Sequence, residues 1–140
     1  MIRLYGFVDG GLKPLHLETG GETTGPGWDA VAWVDLLEPE PDEKEWVERT
    51  WGVEVPSRSE MRELEASSRC YQEADGLHLL TAFIVAEPGA VHTTDVWFHL
   101  RRGRLFTVRP EKLPPFRLFR LRAQSQPEEV REAIDIPLGV

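Results

Sequence analysis

The most apolar run of the chain lies in residues 77–86 and reads L-H-L-L-T-A-F-I-V-A. Its alternating positions are apolar on both sides, which is typical of a strand in the middle of a sheet that is covered on both faces. The stretch before it, residues 57–66, reads S-R-S-E-M-R-E-L-E-A and predicts a short acidic helix. We therefore expect a buried central strand with an acidic element at its edge, and we expect the function to lie there.

Turn and cap residues divide the rest of the chain into further elements. D-G at residues 9–10 and R-G at residues 102–103 each separate two alternating segments, which predicts two β-hairpins. A helix is predicted from residue 41 to about residue 51, where Gly52 ends it. The other predicted elements are strands at 2–8, 12–17, 30–36, 92–101 and 104–109, a loop at 19–27, a helix beginning at Pro114-Pro115 and a helical segment at 127–137.

Composition and charge narrow the class of protein. A chain of 140 residues has the length of one domain, and its 41% hydrophobic and 29% charged residues are ordinary for a globular protein. The formal net charge of −8 argues against a nucleic-acid binder, which needs a basic surface. We find no run of about 18 apolar residues and no pattern of a secretory leader, so we expect neither a membrane span nor secretion. The single cysteine, Cys70, precludes an internal disulfide, and we expect a core thiol in a reducing compartment.

Residues that could carry catalysis or bind zinc do not form a recognisable motif. The histidines are scattered, and His92 and His99 are seven apart on a predicted strand, which places them on opposite faces. One cysteine and such histidines lack the ligand spacing of a zinc site. The G-x-S-x-G signature is absent, and Asp35, Glu38 and Glu40 lie where a strand leads into a helix and suit the helix dipole. We therefore expect no enzymatic activity.

A basic stretch follows in the second half of the chain. Residues 101–122 contain eight Arg or Lys residues against one acid, Glu111, and phenylalanines lie between them. This resembles a nucleic-acid surface only superficially, because the preceding half of the chain is acidic. The bases can pair internally or face an acidic neighbour. We interpret the stretch as a surface for subunit contact or anionic lipid rather than for RNA.

The acidic helix is the best candidate for metal chemistry. Glu60 and Glu63 are three residues apart, so their side chains project from neighbouring points on one helix face. Two carboxylates placed in this way can hold a hydrated Mg²⁺ through a few oxygens and several waters. The alternative is that Glu60 forms a capping box with Ser57 and that Glu63 is a solvated charge.

Several short motifs carry a resemblance to a known family. They are W-V-D-L-L-E-P at 33–39, E-L-E-A-S-S-R at 63–69, E-A-D-G-L-H at 73–78, G-R-L-F-T-V-R at 103–109 and L-P-P-F-R-L-F-R-L-R-A-Q-S-Q at 113–126. In this order the chain resembles the N-terminal cytoplasmic domain of the CorA family of magnesium and cobalt transporters.

The resemblance implies one regulatory domain over residues 1–140, of the α/β class. The expected fold is a mixed, largely antiparallel sheet covered by helices on both faces, an α/β/α sandwich. The resemblance also implies that Glu60, Glu63 and Glu65 bind Mg²⁺ weakly, and Co²⁺ as a second ion, at the boundary between neighbouring subunits of a homopentamer. In that family the partner carboxylates come from a long stalk helix.

The sequence departs from the family at its end. It stops at Val140, before the stalk, the transmembrane helices and the Gly-Met-Asn pore motif, so we expect a fragment of a longer protein. We expect the domain to lie at the cytoplasmic face of the membrane, with membrane contact only through those further segments. Two alternatives stay open. They are a domain of the zinc-transporting branch of the same superfamily and a stand-alone module that binds a protein partner through its basic helix.

Overall fold

The computed structural model of the protein describes residues 1–16, 30–63, 70–73 and 76–125. Within these ranges one sheet of seven strands has the order β2-β1-β3-β7-β6-β5-β4. The strands are β1 (Ile2–Val8), β2 (Gly11–Leu15), β3 (Val31–Leu37), β4 (Cys70–Glu73), β5 (Gly76–Glu87), β6 (Ala90–Arg101) and β7 (Arg104–Arg109). β3 and β7 are parallel neighbours, and the other neighbouring pairs among these described strands are antiparallel. The prediction of a mixed, largely antiparallel sheet is confirmed.

The centre of the sheet is not where the apolar run predicted it. All seven residues of β3 are buried, whereas β5, which contains the run 77–86, lies next to the edge strand β4. Ile84 is 77% exposed, because it lies towards the far end of the long β5–β6 hairpin. The prediction of a central strand at 77–86 was therefore wrong. Cys70 was also misplaced as a core thiol, since it lies on β4 at the edge of the sheet and is exposed.

The two hairpins that the turn residues predicted are confirmed. Asp9 and Gly10 have φ angles of 52° and 80°, and Arg102 and Gly103 have φ angles of 48° and 72°. Two consecutive residues with positive φ match the twist of the flanking strands, which is why such pairs favour two-residue hairpins. Glycine at the second position adopts this conformation without the penalty of a Cβ.

Three helices are described: α1 (Pro41–Trp51), α2 (Arg58–Glu63) and α3 (Pro114–Ser125). The predicted bounds of α1 are confirmed, and the amide of Gly52, at φ 66°, donates to the carbonyl of Glu48 at its end (2.8 Å). None of the described helices combines the length and apolar character needed to cross a membrane. The loop predicted at 19–27 and the helical segment predicted at 127–137 lie outside the described residues.

The helices cover both faces of the sheet, as predicted. Successive residues of β3 point to opposite faces, so Val34 packs in the core with α1 and α2 while Trp33 packs in the core with α3. Trp46 and Val47 bring α1 into the first core. The two cores place α1 and α2 on one side of the sheet and α3 on the other.

Candidate functional site on the acidic helix

The acidic helix α2 begins with the capping box that its sequence predicted. The hydroxyl of Ser57 accepts a hydrogen bond from the amide of Glu60 (3.2 Å), and Oε1 of Glu60 accepts one from the amide of Ser57 (3.3 Å). Met61 is buried in the core on the inner side of the helix. The cap and this anchor fix the direction in which α2 leaves the loop.

Glu60 lines an acidic cleft of about 360 Å³ between α1 and α2. Glu48 of α1 and Glu54 of the following loop line the same cleft. Lys44 also lines it and brings one positive charge to the three carboxylates. The carboxylate of Glu48 is held in place because its Oε2 accepts a hydrogen bond from the amide of Val55 (3.1 Å). Three separate segments thus contribute acidic side chains to one cleft.

The three predicted metal ligands differ in their placement. Glu60 is on the acidic cleft, Glu63 is exposed at the last residue of α2, and Glu65 lies outside the described residues. In the part of the chain that the structure describes, no three His, Cys, Asp or Glu side chains are arranged to hold a metal ion. A hard cation in the cleft would therefore keep most of its water or take further oxygens from elsewhere.

Two histidines meet at the side of this cleft, which corrects the expectation that the histidines stay scattered. His78, which lines the cleft, stacks on His99 with ring centroids 3.9 Å apart, and the two are 7% and 1% exposed. The pair forms because the β5–β6 register places these residues directly opposite each other. His92 is apart from them, as expected, and contacts Glu111 at 3.0 Å.

A buried ion pair lies on the other face of the sheet, and the sequence analysis missed it. Nη2 of Arg109 donates to Oδ2 of Asp35 (2.7 Å), and the two side chains are 2% and 0% exposed. Trp33 Nε1 donates to Thr107 Oγ1 (2.9 Å), which donates to Asp35 Oδ1 (2.9 Å). The guanidinium carbon of Arg109 also lies 4.7 Å from the centroid of the Phe116 ring.

Asp35 was interpreted as a strand-end acid that suits a helix dipole, and this was wrong. It lies inside β3, where the parallel neighbour β7 supplies both of its partners, Thr107 and Arg109. A buried carboxylate needs such partners, because its transfer from water is costly. One signal was available in the sequence, since Asp35 is the single charged residue in the apolar segment V-A-W-V-D-L-L.

Several basic residues of the stretch 101–122 form contacts within the domain. This is one of the two outcomes that the sequence left open, the other being an acidic neighbour. Arg101 Nη1 donates to the carbonyl of Gly52 (2.7 Å) at the end of α1, where a cation is favourable. Arg104 Nε donates to the carbonyl of Val31 (2.7 Å). These residues fasten loops and strands of the domain to one another.

The chain is similar to known proteins both in sequence and in fold. The profile of the family described as CorA-like Mg²⁺ transporter protein matches residues 28–138. Two proteins named magnesium transport protein CorA are similar in sequence. That of Pectobacterium atrosepticum is 44% identical over 117 residues, covering 82% of this chain and 35% of the relative. That of Salmonella typhimurium is 47% identical over 100 residues, covering 70% and 31%. The chain thus spans about one third of the length of these relatives.

Solved structures resemble the domain at low sequence identity. The soluble domain of CorA from Methanocaldococcus jannaschii has a TM-score of 0.58 at 18% identity, over 86% of this chain and 45% of that one. The ZntB cytoplasmic domain from Vibrio parahaemolyticus has a TM-score of 0.55 at 17% identity, over 86% and 48%. At these identities the likeness establishes the fold, and the α/β/α arrangement predicted from the sequence is confirmed.

Proposed function

The chain belongs to the family of CorA-like Mg²⁺ transporter proteins, and from this premise we propose that it forms the cytoplasmic regulatory domain of a divalent-cation transporter. The observation that carries the proposal is the 47% identity over 100 residues to a magnesium transport protein. Mg²⁺ is the proposed transported ion, with Co²⁺ as a second substrate. Transport itself is assigned to the whole protein, of which this chain would be about one third. The role needs no catalytic residue, so we expect no enzymatic activity.

In this proposal the acidic cleft and α2 sense Mg²⁺ on the cytoplasmic side of the membrane. Glu60 and Glu63 supply two carboxylates, and Glu65 is proposed as a third. Further oxygen ligands are proposed to come from the rest of the protein or from a neighbouring subunit of a homopentamer. We expect the chain by itself to bind Mg²⁺ only weakly, on the order of millimolar, because much of the coordination sphere remains water.

A zinc-transporting member of the superfamily is the alternative. The TM-score of 0.55 to the ZntB cytoplasmic domain supports a shared fold, but the relatives at 44–47% identity are magnesium transport proteins. A stand-alone interaction module that uses the basic helix α3 is the other alternative. The identity of 44–47% to magnesium transport proteins favours a transporter domain over such a module.

The test is the double substitution Glu60→Gln with Glu63→Gln in the full-length transporter. Glutamine also serves at the third position of a capping box, so the start of α2 and the folding of the domain should be kept. The substitution removes both charges, and a hard cation prefers carboxylate oxygens. We expect closure of the transporter by cytoplasmic Mg²⁺ to require several-fold more Mg²⁺, measured as uptake or current against internal Mg²⁺ concentration.

The matched control is Glu45→Gln with Glu87→Gln, which removes two charges from exposed positions that do not line the acidic cleft. If the control shifts the Mg²⁺ dependence as much as the test variant, the effect is one of overall charge. If Mg²⁺ closes the test variant as it closes the wild type, then Glu60 is a helix cap, Glu63 is a solvated charge, and the sensing role is refuted.

A further inference from the structure

A second cleft, of about 400 Å³, lies at the carboxyl ends of β3 and β7, and we call it the switch-point cleft. β3 and β7 are parallel, so both strands end at the same edge of the sheet, where the amide of Glu38 donates to the carbonyl of Arg109 (2.9 Å). The chain then leaves β3 towards α1 on one face and leaves β7 towards α3 on the opposite face. Diverging connections of this kind open the crevice in which open α/β sheets bind their ligands.

The walls of the switch-point cleft are held rigidly. Four of the residues that line it are prolines: Pro39, Pro41, Pro56 and Pro110. Each fixes its own φ angle, so the three loops at the cleft have few alternative conformations. Glu38, also in the lining, has a φ of 43°, a conformation that a residue with a side chain adopts only where its surroundings hold it. A preformed site loses little conformational entropy when a ligand enters.

The charge of this cleft is opposite to that of the acidic cleft. Lys44, Arg58 and Arg109 line it, against the single carboxylate of Glu38. Asp35 neutralises Arg109, which leaves two cations against one acid in a chain of net charge −8. Neither Lys44 nor Arg58 forms an ion pair within the described part of the chain, and Lys44 lies at the boundary with the carboxylates of the acidic cleft.

The helix α2 separates the two clefts by the direction of its side chains. Arg58 lines the switch-point cleft and Glu60 lines the acidic cleft, because two residues along a helix point to different sides. Lys44 borders both. An anion in the switch-point cleft therefore meets Arg58 and Lys44 while Glu60 is turned away from it.

We propose that the switch-point cleft binds a small phosphorylated molecule. Lys44 and Arg58 would contact the phosphate oxygens, since arginine matches phosphate geometry with two parallel hydrogen bonds and lysine supplies a point charge. The volume is larger than a phosphate group needs and falls within the range of roughly 300–1,000 Å³ that small-molecule sites occupy. Met61 and Val108, which also line the cleft, provide apolar contacts for the remainder of the molecule.

The experiment is a calorimetric titration of the chain with ADP, pyrophosphate and adenosine at low salt and in EDTA. Excluding divalent cations makes the result independent of the Mg²⁺ proposal above. We expect saturable binding of ADP and pyrophosphate, weakened at higher ionic strength, and no binding of adenosine. Arg58→Gln and Lys44→Gln should each weaken ADP binding about tenfold, as loss of one charge-assisted hydrogen bond does. Glu38→Gln should strengthen it.

Arg62→Gln is the matched control, because Arg62 lies on the same helix and does not line the switch-point cleft, although it shares a smaller neighbouring cavity with Arg58. Equal weakening by Arg58→Gln and Arg62→Gln would mean that ADP responds only to overall charge, and the proposal would fail. It would fail also if neither ADP nor pyrophosphate saturates the chain by about 10 mM, well above the micromolar-to-millimolar range of ordinary metabolite affinities. The proposal would also fail if malonate, a dicarboxylate, bound as tightly as pyrophosphate. Far-UV circular dichroism of Arg58→Gln and Lys44→Gln checks that a loss of binding is not a loss of fold.

Discussion

The buried pair of Asp35 and Arg109 allows a sharp prediction about stability. Asp35→Asn keeps the shape of the side chain but removes its charge and turns one acceptor oxygen into a donor. In the structure Oδ1 accepts from Thr107 Oγ1 (2.9 Å) and from Arg109 Nε (3.1 Å), and Oδ2 accepts from Arg109 Nε (3.2 Å) and Nη2 (2.7 Å). The substitution therefore leaves a buried guanidinium without its counter-charge.

The expected loss follows from that uncompensated charge. Breaking a buried ion pair by removing one partner costs about 3–5 kcal/mol, whereas removing both partners for apolar residues is often neutral. A domain is stable by about 5–15 kcal/mol, so Asp35→Asn should remove a large share of the free energy of unfolding. The double variant Asp35→Leu with Arg109→Met should recover most of the loss. The change in the free energy of unfolding for the double variant, compared with the sum of the changes for Asp35→Leu alone and Arg109→Met alone, measures the coupling between the two residues.

The assay is urea unfolding followed by tryptophan fluorescence and far-UV circular dichroism. Glu45→Gln, at an exposed position of α1, is the control and should change the free energy of unfolding by less than about 0.5 kcal/mol. A loss of less than about 1 kcal/mol for Asp35→Asn would refute the reasoning, since a buried charge that loses its partner costs more than that. A double variant as unstable as the sum of the single variants would refute it as well.

Three further outcomes are expected. Gly76→Ala should lower the free energy of unfolding by about 1–3 kcal/mol in urea titrations, because a Cβ there would clash with the carbonyl oxygen of Leu100, and an unchanged midpoint would contradict this contact. Burial tends to raise the pKa of Glu43, but the amides of Glu40 and Ile2 and the terminal ammonium of Met1 together outweigh it and the pKa is lowered. The carboxylate therefore stabilises the fold above about pH 5, and this contribution is lost as the pH falls. The stability difference between wild type and Glu43→Gln should accordingly shrink from pH 6 to pH 3 in denaturant titrations, and a constant difference would contradict this. Cys70 should react with a maleimide in the folded chain about as fast as in urea, as an exposed thiol does, and strong protection would place it in the core instead.

The parts of the fold that the sequence predicted are those that local chemistry decides. The turn at residues 102–103, the end of α1 at Gly52 and the cap of α2 at Ser57 each depend on neighbours within a few residues, and all were confirmed. Strand order depends on contacts between distant residues, and the prediction of the central strand was wrong for that reason. The run 77–86 has two apolar faces in sequence, but only tertiary packing decides that Leu80 is buried and Ile84 is not.

The candidate site likewise combines features that neighbouring residues decide with features that only distant contacts decide. The position of Glu60 followed from its own helix. The other carboxylates of its cleft, Glu48 and Glu54, come from α1 and the loop after it, and no local pattern links them to Glu60. Arg109 is 74 residues from Asp35, and the pair is visible only once β3 and β7 are known to be parallel neighbours. Likewise, His78 and His99 meet only through the register of the β5–β6 hairpin.

The ion pair bears on how the two strands find their alignment. A slip of β3 by one residue would turn Asp35 to the face of α1 and α2, where Val34 and Leu36 pack with Trp46, and would bury a carboxylate among apolar side chains. Apolar replacements of Asp35 and Arg109 carry no such penalty. We therefore infer, as a hypothesis, that the pair specifies the register of β3 on β7 more than it adds net stability. The double apolar variant should then be stable but heterogeneous, and a single set of backbone amide resonances in its spectrum would contradict this. Both clefts depend on that register, because the ends of β3 and β7 form the switch-point cleft and α1 leaves β3 to form the acidic one.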